Sequence, residues 1–257
     1  LTRTAARVVR EPRVLVLAHR GDCRAAPENT LPAFAQALDL GVDLVELDYV
    51  HSADGVPVVF HDATLDRVTD SREVFAELDV AIASKILAEL RRLDAGSWFD
   101  ARFAGTRLAT LEEVLRLISR SALTMIERKA GDAQTLVGLL HRLRLVEQVV
   151  VTAFDWPFLA DCHALERGLV LGALGTKTIT PGQLDQAAAA GAGVIGWDDV
   201  FVTAEHVGLV HARGLRAWVW TVDDPLRAEQ LIAWGVDGLI SNVPSKVQAV
   251  VRRCHPR

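Results

Sequence analysis

The sequence predicts an α/β fold, a (β/α)8 TIM barrel with a small insertion after the hairpin of the second strand, and three observations carry that expectation. Nine short runs rich in Val, Leu and Ile recur along 257 residues: "VLVLAH", "VDLVELDY", "VPVVFH", "LTMIERK", "VVVTAF", "LVLGAL", "GVIGW", "LRAWVW" and "VDGLIS". Continuous apolar runs of this length fit strands buried on both faces. Helix-like stretches such as "LPAFAQALDL", "LEEVLRLIS", "AQTLVGLLHRLRL", "PGQLDQAAAA" and "DPLRAEQLIAWG" separate them, several ending at a glycine suited to a helix C-terminus. Strands alternating with helices build a parallel sheet. The third observation is "VELDYVHSADGVPVVFHD", in which Asp54-Gly55 joins two extended arms with no room for a crossover helix. Setting "VPVVFH" aside as a returning antiparallel arm leaves eight parallel strands, the number for a barrel.

A two-residue turn at Asp54-Gly55 would pair Ala53 with Val56 and set Asp48 opposite His61 on one side of the sheet. From about 62 to 110 the pattern loosens into an excursion on top of the barrel, with one amphipathic helix expected near Ser84 to Leu93. Nothing there resembles a linker, so residues 1–257 read as a single domain.

Barrels of this kind hold their chemistry at the C-terminal ends of the strands. His19 and Arg20 end the first strand, Glu46 and Asp48 the second, and Glu127 and Lys129 the third, while His61 returns beside the second. Glu46 and Asp48 lie two apart, so both side chains leave one face of a strand about 7 Å apart along it. In a pocket of low dielectric they repel unless a cation lies between them. Glu127 offers a third oxygen donor, and three carboxylates without cysteine point to a hard divalent cation, Mg²⁺ or Ca²⁺. Any one of these acids alone fits an ion pair with Arg20, Arg128 or Lys129 equally well; the trio favours the metal. Two imidazoles beside a divalent cation suit paired proton transfer near neutral pH, and Arg20 is a bidentate donor for phosphate. Together these are the parts of a site that cleaves phosphodiesters.

The totals narrow the partners. A formal charge of −5 argues against a broad basic surface for nucleic acid. No apolar run approaches the length of a membrane span, which argues against stable membrane insertion. The Arg-rich start "LTRTAARVVREPR" is followed by too short an apolar stretch for a signal peptide, although an upstream segment could precede Leu1. Cys23, Cys162 and Cys254 are scattered and odd in number, so no disulfide framework is expected and the cytoplasm is favoured. Oligomeric state is not legible.

The motifs "HRG", "APENTLPAF", "VELD", "DGVPVVFHDATLDRVTD", "LDAGSWF", "TLEEVL", "IERK", "WTVDD" and "VDGLISNVP" resemble the glycerophosphodiester phosphodiesterase family in the right order, from Leu15 to Val247. The resemblance implies a metal-dependent barrel enzyme that hydrolyses small-molecule glycerophosphodiesters to sn-glycerol 3-phosphate and an alcohol. Carried over by position, it implies that His19 and His61 are the acid/base pair and that Glu46, Asp48 and Glu127 hold the metal. It further implies Arg20 and Lys129 at the phosphate, Glu28 of "PENT" holding His19 or Arg20, and Trp220 as a wall against glycerol or the leaving group. The implied mechanism runs through a cyclic phosphate: the glycerol 2-hydroxyl attacks phosphorus with His19 as base and His61 as acid, then water opens the ring. Alternatives are a lipid phosphodiesterase of the lysophospholipase D kind and a non-catalytic glycerophosphodiester-binding protein; a Schiff-base lyase on Lys129 is opposed by the neighbouring acids.

Three departures from the family pattern stand out: Ala153 where relatives often carry serine, His51 as a third histidine near the mouth, and Asn242 where aspartate is common. Cys23 reads as a spectator and His51 as a solvated hairpin residue. Lys177 suits a phosphate contact or a solvated loop, and Trp98 and Phe99 suit a cap on the pocket or an anchor for the excursion. His141, His163, His206 and His211 fall on helical stretches.

Overall fold

A computed structural model describes residues 4–254. Its elements, in chain order, are α1 (Ala5–Val8), β1 (Leu15–Ala18), α2 (Leu31–Asp39), β2 (Leu44–His51), β3 (Pro57–Val59), α3 (Ser71–Phe75), α4 (Leu87–Leu90) and α5 (Leu111–Ile118). Then follow β4 (Leu123–Arg128), α6 (Ala133–Leu143), β5 (Val149–Ala153), α7 (Trp156–Leu165), β6 (Val170–Gly175) and α8 (Pro181–Ala189). The chain closes with β7 (Val194–Asp198), α9 (Ala204–His211), β8 (Arg216–Trp220), α10 (Pro225–Ala233), β9 (Gly238–Ser241) and α11 (Pro244–Cys254). Eight strands pair in parallel in the order β1-β2-β4-β5-β6-β7-β8-β9, and β9 returns to β1. The sheet is a closed (β/α)8 barrel with helices around it, as the sequence predicts. The antiparallel β3 lies against the upper half of β2, beyond the part of β2 that pairs with β1.

Local chemistry sets the helix starts. Thr110 caps α5 by accepting from the Glu113 N–H while the Glu113 carboxylate reaches back to the Thr110 N–H, and Thr180 with Gln183 repeats the arrangement at α8. Asp132, Thr203 and Asp224 cap α6, α9 and α10 more simply, their side chains accepting from the N–H groups of Thr135, His206 and Leu226 with no return bond.

Alternation along each strand divides the core in two. Outward residues such as Val16, Val45, Ile126, Val151 and Ala173 pack under the helices. Inward residues Leu15, Leu17, Leu44, Leu123, Val150, Val194 and Trp218 fill the barrel, and α1 closes its lower end with Ala5 and Val8. Trp218 fits only because β9 presents Gly238 beside it: a Cβ there would lie 2.6 Å from the indole. A third cluster, built on Val50, Val58, Phe60, Leu65 and Leu90, fixes the excursion to the hairpin.

Three local expectations are corrected. The hairpin turn has three residues, Ala53 to Gly55: the ladder pairs His51 with Pro57 and Ser52 donates its N–H to the Val56 carbonyl. Gly55 sits at φ +76°, the left-handed position that such a loop requires. Asp48 therefore lies level with Phe60, whose N–H it accepts, and His61 falls one residue later. The amphipathic helix near Ser84 to Leu93 is a 3₁₀ turn at Ile82–Ser84 followed by the single turn of α4, because the backbone at Lys85 and Ile86 between them is extended; Leu90 and Leu93 turn inward into the third cluster. His51 is half-buried, its ring 5.9 Å from that of Tyr49 and packed on Gly131.

Candidate active site

The register of β2 and β4 builds the acidic centre. Asp48 stands beside Glu127 and Glu46 beside Met125, all on inward positions. Neighbouring parallel strands lie about 4.8 Å apart, so these carboxylates are forced together. Oxygens of Glu46, Asp48 and Glu127 lie within 4.8 Å of one another, and the three residues are 1%, 0% and 8% exposed. Glu46 Oε1 is buried without a hydrogen-bond partner. Burial and the charges of Asp48 and Glu127 hold the Glu46 carboxyl well above the usual carboxylate range. Burial and Asp48 push Glu127 up to about 7. Asp48 goes the other way: burial opposes its charge, but Lys129, Arg20 and both histidines outweigh burial and lower its pKa. Lys129 Nζ bonds Glu127 Oε1 and lies 3.3 Å from Asp48 Oδ1. Oxygen donors, an orphaned buried oxygen and mutual repulsion together fit a hard divalent cation.

The segment after β1 arches over this centre. Arg20 and Asn29 both occupy left-handed backbone (φ +55° and +56°), a conformation that non-glycine residues adopt at a cost. The bend turns the Arg20 N–H onto Glu46 Oε2 at 2.7 Å and its side chain toward Asp48 Oδ2 at 3.3 Å and Glu28 Oε1 at 2.8 Å. Asn29 Nδ2 donates to Asp48 Oδ2 at 2.9 Å, and its own Oδ1 accepts the Asp48 N–H at 3.2 Å. Glu28 holds Arg20, not His19.

The two histidines have different partners. His19 Nδ1 lies 2.7 Å from Asn242 Oδ1. Asn242 Nδ2 donates to Asp223 Oδ2 at 2.8 Å, which fixes the amide and makes Oδ1 the atom that faces His19. His19 Nδ1 therefore carries the proton, and Nε2 is left as a bare lone pair. Burial and the Arg20 charge lower the His19 pKa, which keeps the ring neutral. His61 Nδ1 instead meets a carboxylate, Asp62 Oδ1, at 2.6 Å, and Arg67 holds the other Asp62 oxygen at 2.5 Å.

His19, Arg20, Glu46, His61, Glu127, Lys129 and Trp220 line one cavity of about 170 Å³ floored by Met125, Leu174 and Ile240. Phe154, 47% exposed, completes its wall, with its ring edge-on to Trp220 at 5.8 Å. All nine residues singled out in the sequence are at or directly bonded to this centre. The sequence alone gives no role to Asn29, Asp62, Arg67, Phe154 or Asp223, and the bond between Asn242 and His19 appears only in the fold. Trp98 and Phe99 pack on each other at 5.6 Å and do not line the cavity, and Lys177 is exposed, its carbonyl accepting from Trp197 Nε1.

The model of the glycerophosphoryl diester phosphodiesterase family matches residues 19–246. The chain belongs to this family. A glycerophosphodiester phosphodiesterase of Caldanaerobacter subterraneus subsp. tengcongensis is 32% identical over 94% of this chain and 99% of its own length. One from Bacillus subtilis is 29% identical over 90% and 84%. Among solved structures of the family's fold, a phosphodiesterase of Oleispira antarctica in complex with the product sn-glycerol-3-phosphate superposes with a TM-score of 0.83 at 28% identity, covering 92% of this chain and 96% of that one. A glycerophosphodiester phosphodiesterase of Agrobacterium tumefaciens gives a TM-score of 0.78 at 28% identity, over 92% and 99%.

Proposed function

We propose that this chain hydrolyses glycerophosphodiesters to sn-glycerol 3-phosphate and an alcohol, with a divalent cation held by Glu46, Asp48 and Glu127 and with His19 and His61 moving the protons. The observation that carries the reading is that two differently held histidines line one cavity with buried carboxylates that can hold a cation. Family membership and the product complex of the Oleispira relative support the substrate class.

When bound, Mg²⁺ or Ca²⁺ would neutralise phosphate charge and make the glycerol 2-hydroxyl more acidic. Arg20 and Lys129 face the same cavity and meet the phosphate oxygens. Neutral His19 takes the 2-hydroxyl proton at Nε2, and the freed oxygen attacks phosphorus. The bond from phosphorus to the alcohol oxygen breaks as His61 gives that oxygen the proton on its own Nε2; Asp62 at Nδ1 complements the positive ring. Water then opens the cyclic phosphate with the two histidines in exchanged roles. Trp220 and Phe154 supply the cavity's aromatic wall, with the Lys129 ammonium 5.9 Å from the Phe154 ring centre.

The decisive assay is release of sn-glycerol 3-phosphate from glycerophosphocholine and glycerophosphoethanolamine in excess EDTA and after Mg²⁺ or Ca²⁺ is restored. Release that returns with the cation and is lost in His19→Ala and His61→Ala supports the reading. Absence of release under every condition, with binding retained, would replace it with a binding protein.

A further inference from the structure

We infer that Arg67 is a positioning residue that locks the general acid His61 and the phosphate ligand Arg20 into one geometry, by gripping the carboxylates behind each of them; this inference rests on the hydrolytic reading above. Arg67 belongs to the excursion, six residues after His61, yet its guanidinium reaches two separate loops. Nε and Nη2 donate to Asp62 at 2.5 and 3.2 Å, while Nη1 and Nη2 donate to Glu28 at 3.0 and 2.6 Å. Behind Asp62 stands His61 Nδ1, and behind Glu28 stands Arg20 Nη1. One fork thus joins the loop after β1 to the loop after β3.

An ordinary surface ion pair contributes little, because two flexible side chains must be held in a screened contact. Arg67 differs on three counts. Both of its partners are approached in a two-pronged manner, which fixes direction as well as distance. Each partner already holds a second group, so Arg67 orders a chain of four side chains. Its backbone is anchored on either side by buried Leu65 and Val68, and Thr69 Oγ1 donates to the Leu65 carbonyl at 2.7 Å. Glu28 and Asp62 also carry like charges. Without the guanidinium between them they would repel and swing apart, and His61 and Arg20 would follow.

The inference predicts a loss that depends on the leaving group. Departure of choline requires a proton from His61, whereas departure of p-nitrophenol, an acidic phenol, does not. In single-turnover reactions with the cation-loaded enzyme, Arg67→Ala should slow alcohol release from glycerophosphocholine by tens of fold. It should slow release from the p-nitrophenyl glycerophosphodiester by less than about threefold, a difference set by acid catalysis. Half-saturating concentrations should rise by a similar factor for both substrates, because Arg20 meets the phosphate that they share. Arg67→Lys should recover part of the loss. Should Arg67→Ala fail to fold, Arg67→Gln allows the same comparison. Equal slowing of both substrates, or slowing of neither, overturns the inference while leaving the hydrolytic reading intact. A wild-type enzyme that releases neither alcohol overturns both.

Discussion

The two ends of this barrel use the same inward positions for opposite purposes. On β2, Leu44 and Asp48 point the same way four residues apart; Leu44 packs with Leu17, Leu123 and Trp218, whereas Asp48 is crowded by two further carboxylates. At the lower end the inward side chains are apolar or aromatic and pack on one another, with the Trp218 indole N–H buried without a partner, and α1 seals the opening. At the upper end burial works against the residues it encloses: Glu46 Oε1 has no partner, and Arg20 and Asn29, bonded to the buried acids, hold left-handed backbone. The lower half supports the upper half in an arrangement that would not persist alone.

This contrast can be broken from either side. The largest expected effect is at the top: His19→Ala and His61→Ala should each lower kcat by about 10²–10⁴-fold, the usual worth of a positioned acid or base, with circular dichroism and melting temperature nearly unchanged. The mirror substitution at the bottom, Leu44→Ala, should cost about 2–5 kcal/mol of stability through a cavity, read by urea unfolding, while the folded fraction keeps its turnover. Loss of activity in Leu44→Ala beyond the unfolded fraction would show that the two ends are not separable.

A smaller effect should appear in pH dependence. Asn242→Asp would set a carboxylate against His19 Nδ1 and raise its pKa by roughly 1–3 units, as neighbouring opposite charges do. The acid limb of kcat/KM should move to higher pH accordingly. In the wild type the His19 pKa is depressed, so its neutral ring stabilises the fold above the ordinary value of 6.5, and that contribution is lost as the pH falls through the lowered value. Melting curves of wild type and His19→Gln between neutral and mildly acidic pH would check it: the variant should lose less stability on acidification. The smallest effect belongs to Cys23, whose thiol donates to Asn242 Oδ1 at 3.1 Å while burial pushes its pKa up to about 12, keeping it protonated. Cys23→Ser should change kcat/KM by less than about twofold, as expected for a side chain that carries no chemistry.

What could be read beforehand follows the same division. The barrel was legible because strands buried on both faces leave unbroken apolar runs, and the acidic centre because a spacing of two on a strand fixes a common face. Asp54-Gly55 marked the hairpin but not its loop length, and the one-residue difference moved His61 off the level of Asp48. The partners that decide what each histidine does were hidden for a physical reason. Asn242 is 223 positions from His19 and reaches it only because β9 closes against β1. Arg67 and Asp62 lie in the least periodic part of the chain, and their roles appear only once the excursion is folded over the rim. Phe154 follows an ordinary apolar strand, with nothing in its spacing to separate it from core.

The central claim is that the buried carboxylates of β2 and β4 are a cation site. It is tested most directly by calorimetric titration of the EDTA-treated protein with Mg²⁺ and Ca²⁺, alongside melting temperatures, for wild type and Glu46→Gln. The account predicts one ion bound per chain and a rise in melting temperature for the wild type. It also predicts that Glu46→Gln, relieved of carboxylate repulsion, melts higher than the metal-free wild type and gains little from the cation. A wild type that binds no divalent ion, or a Glu46→Gln variant that binds it equally well, would contradict the claim.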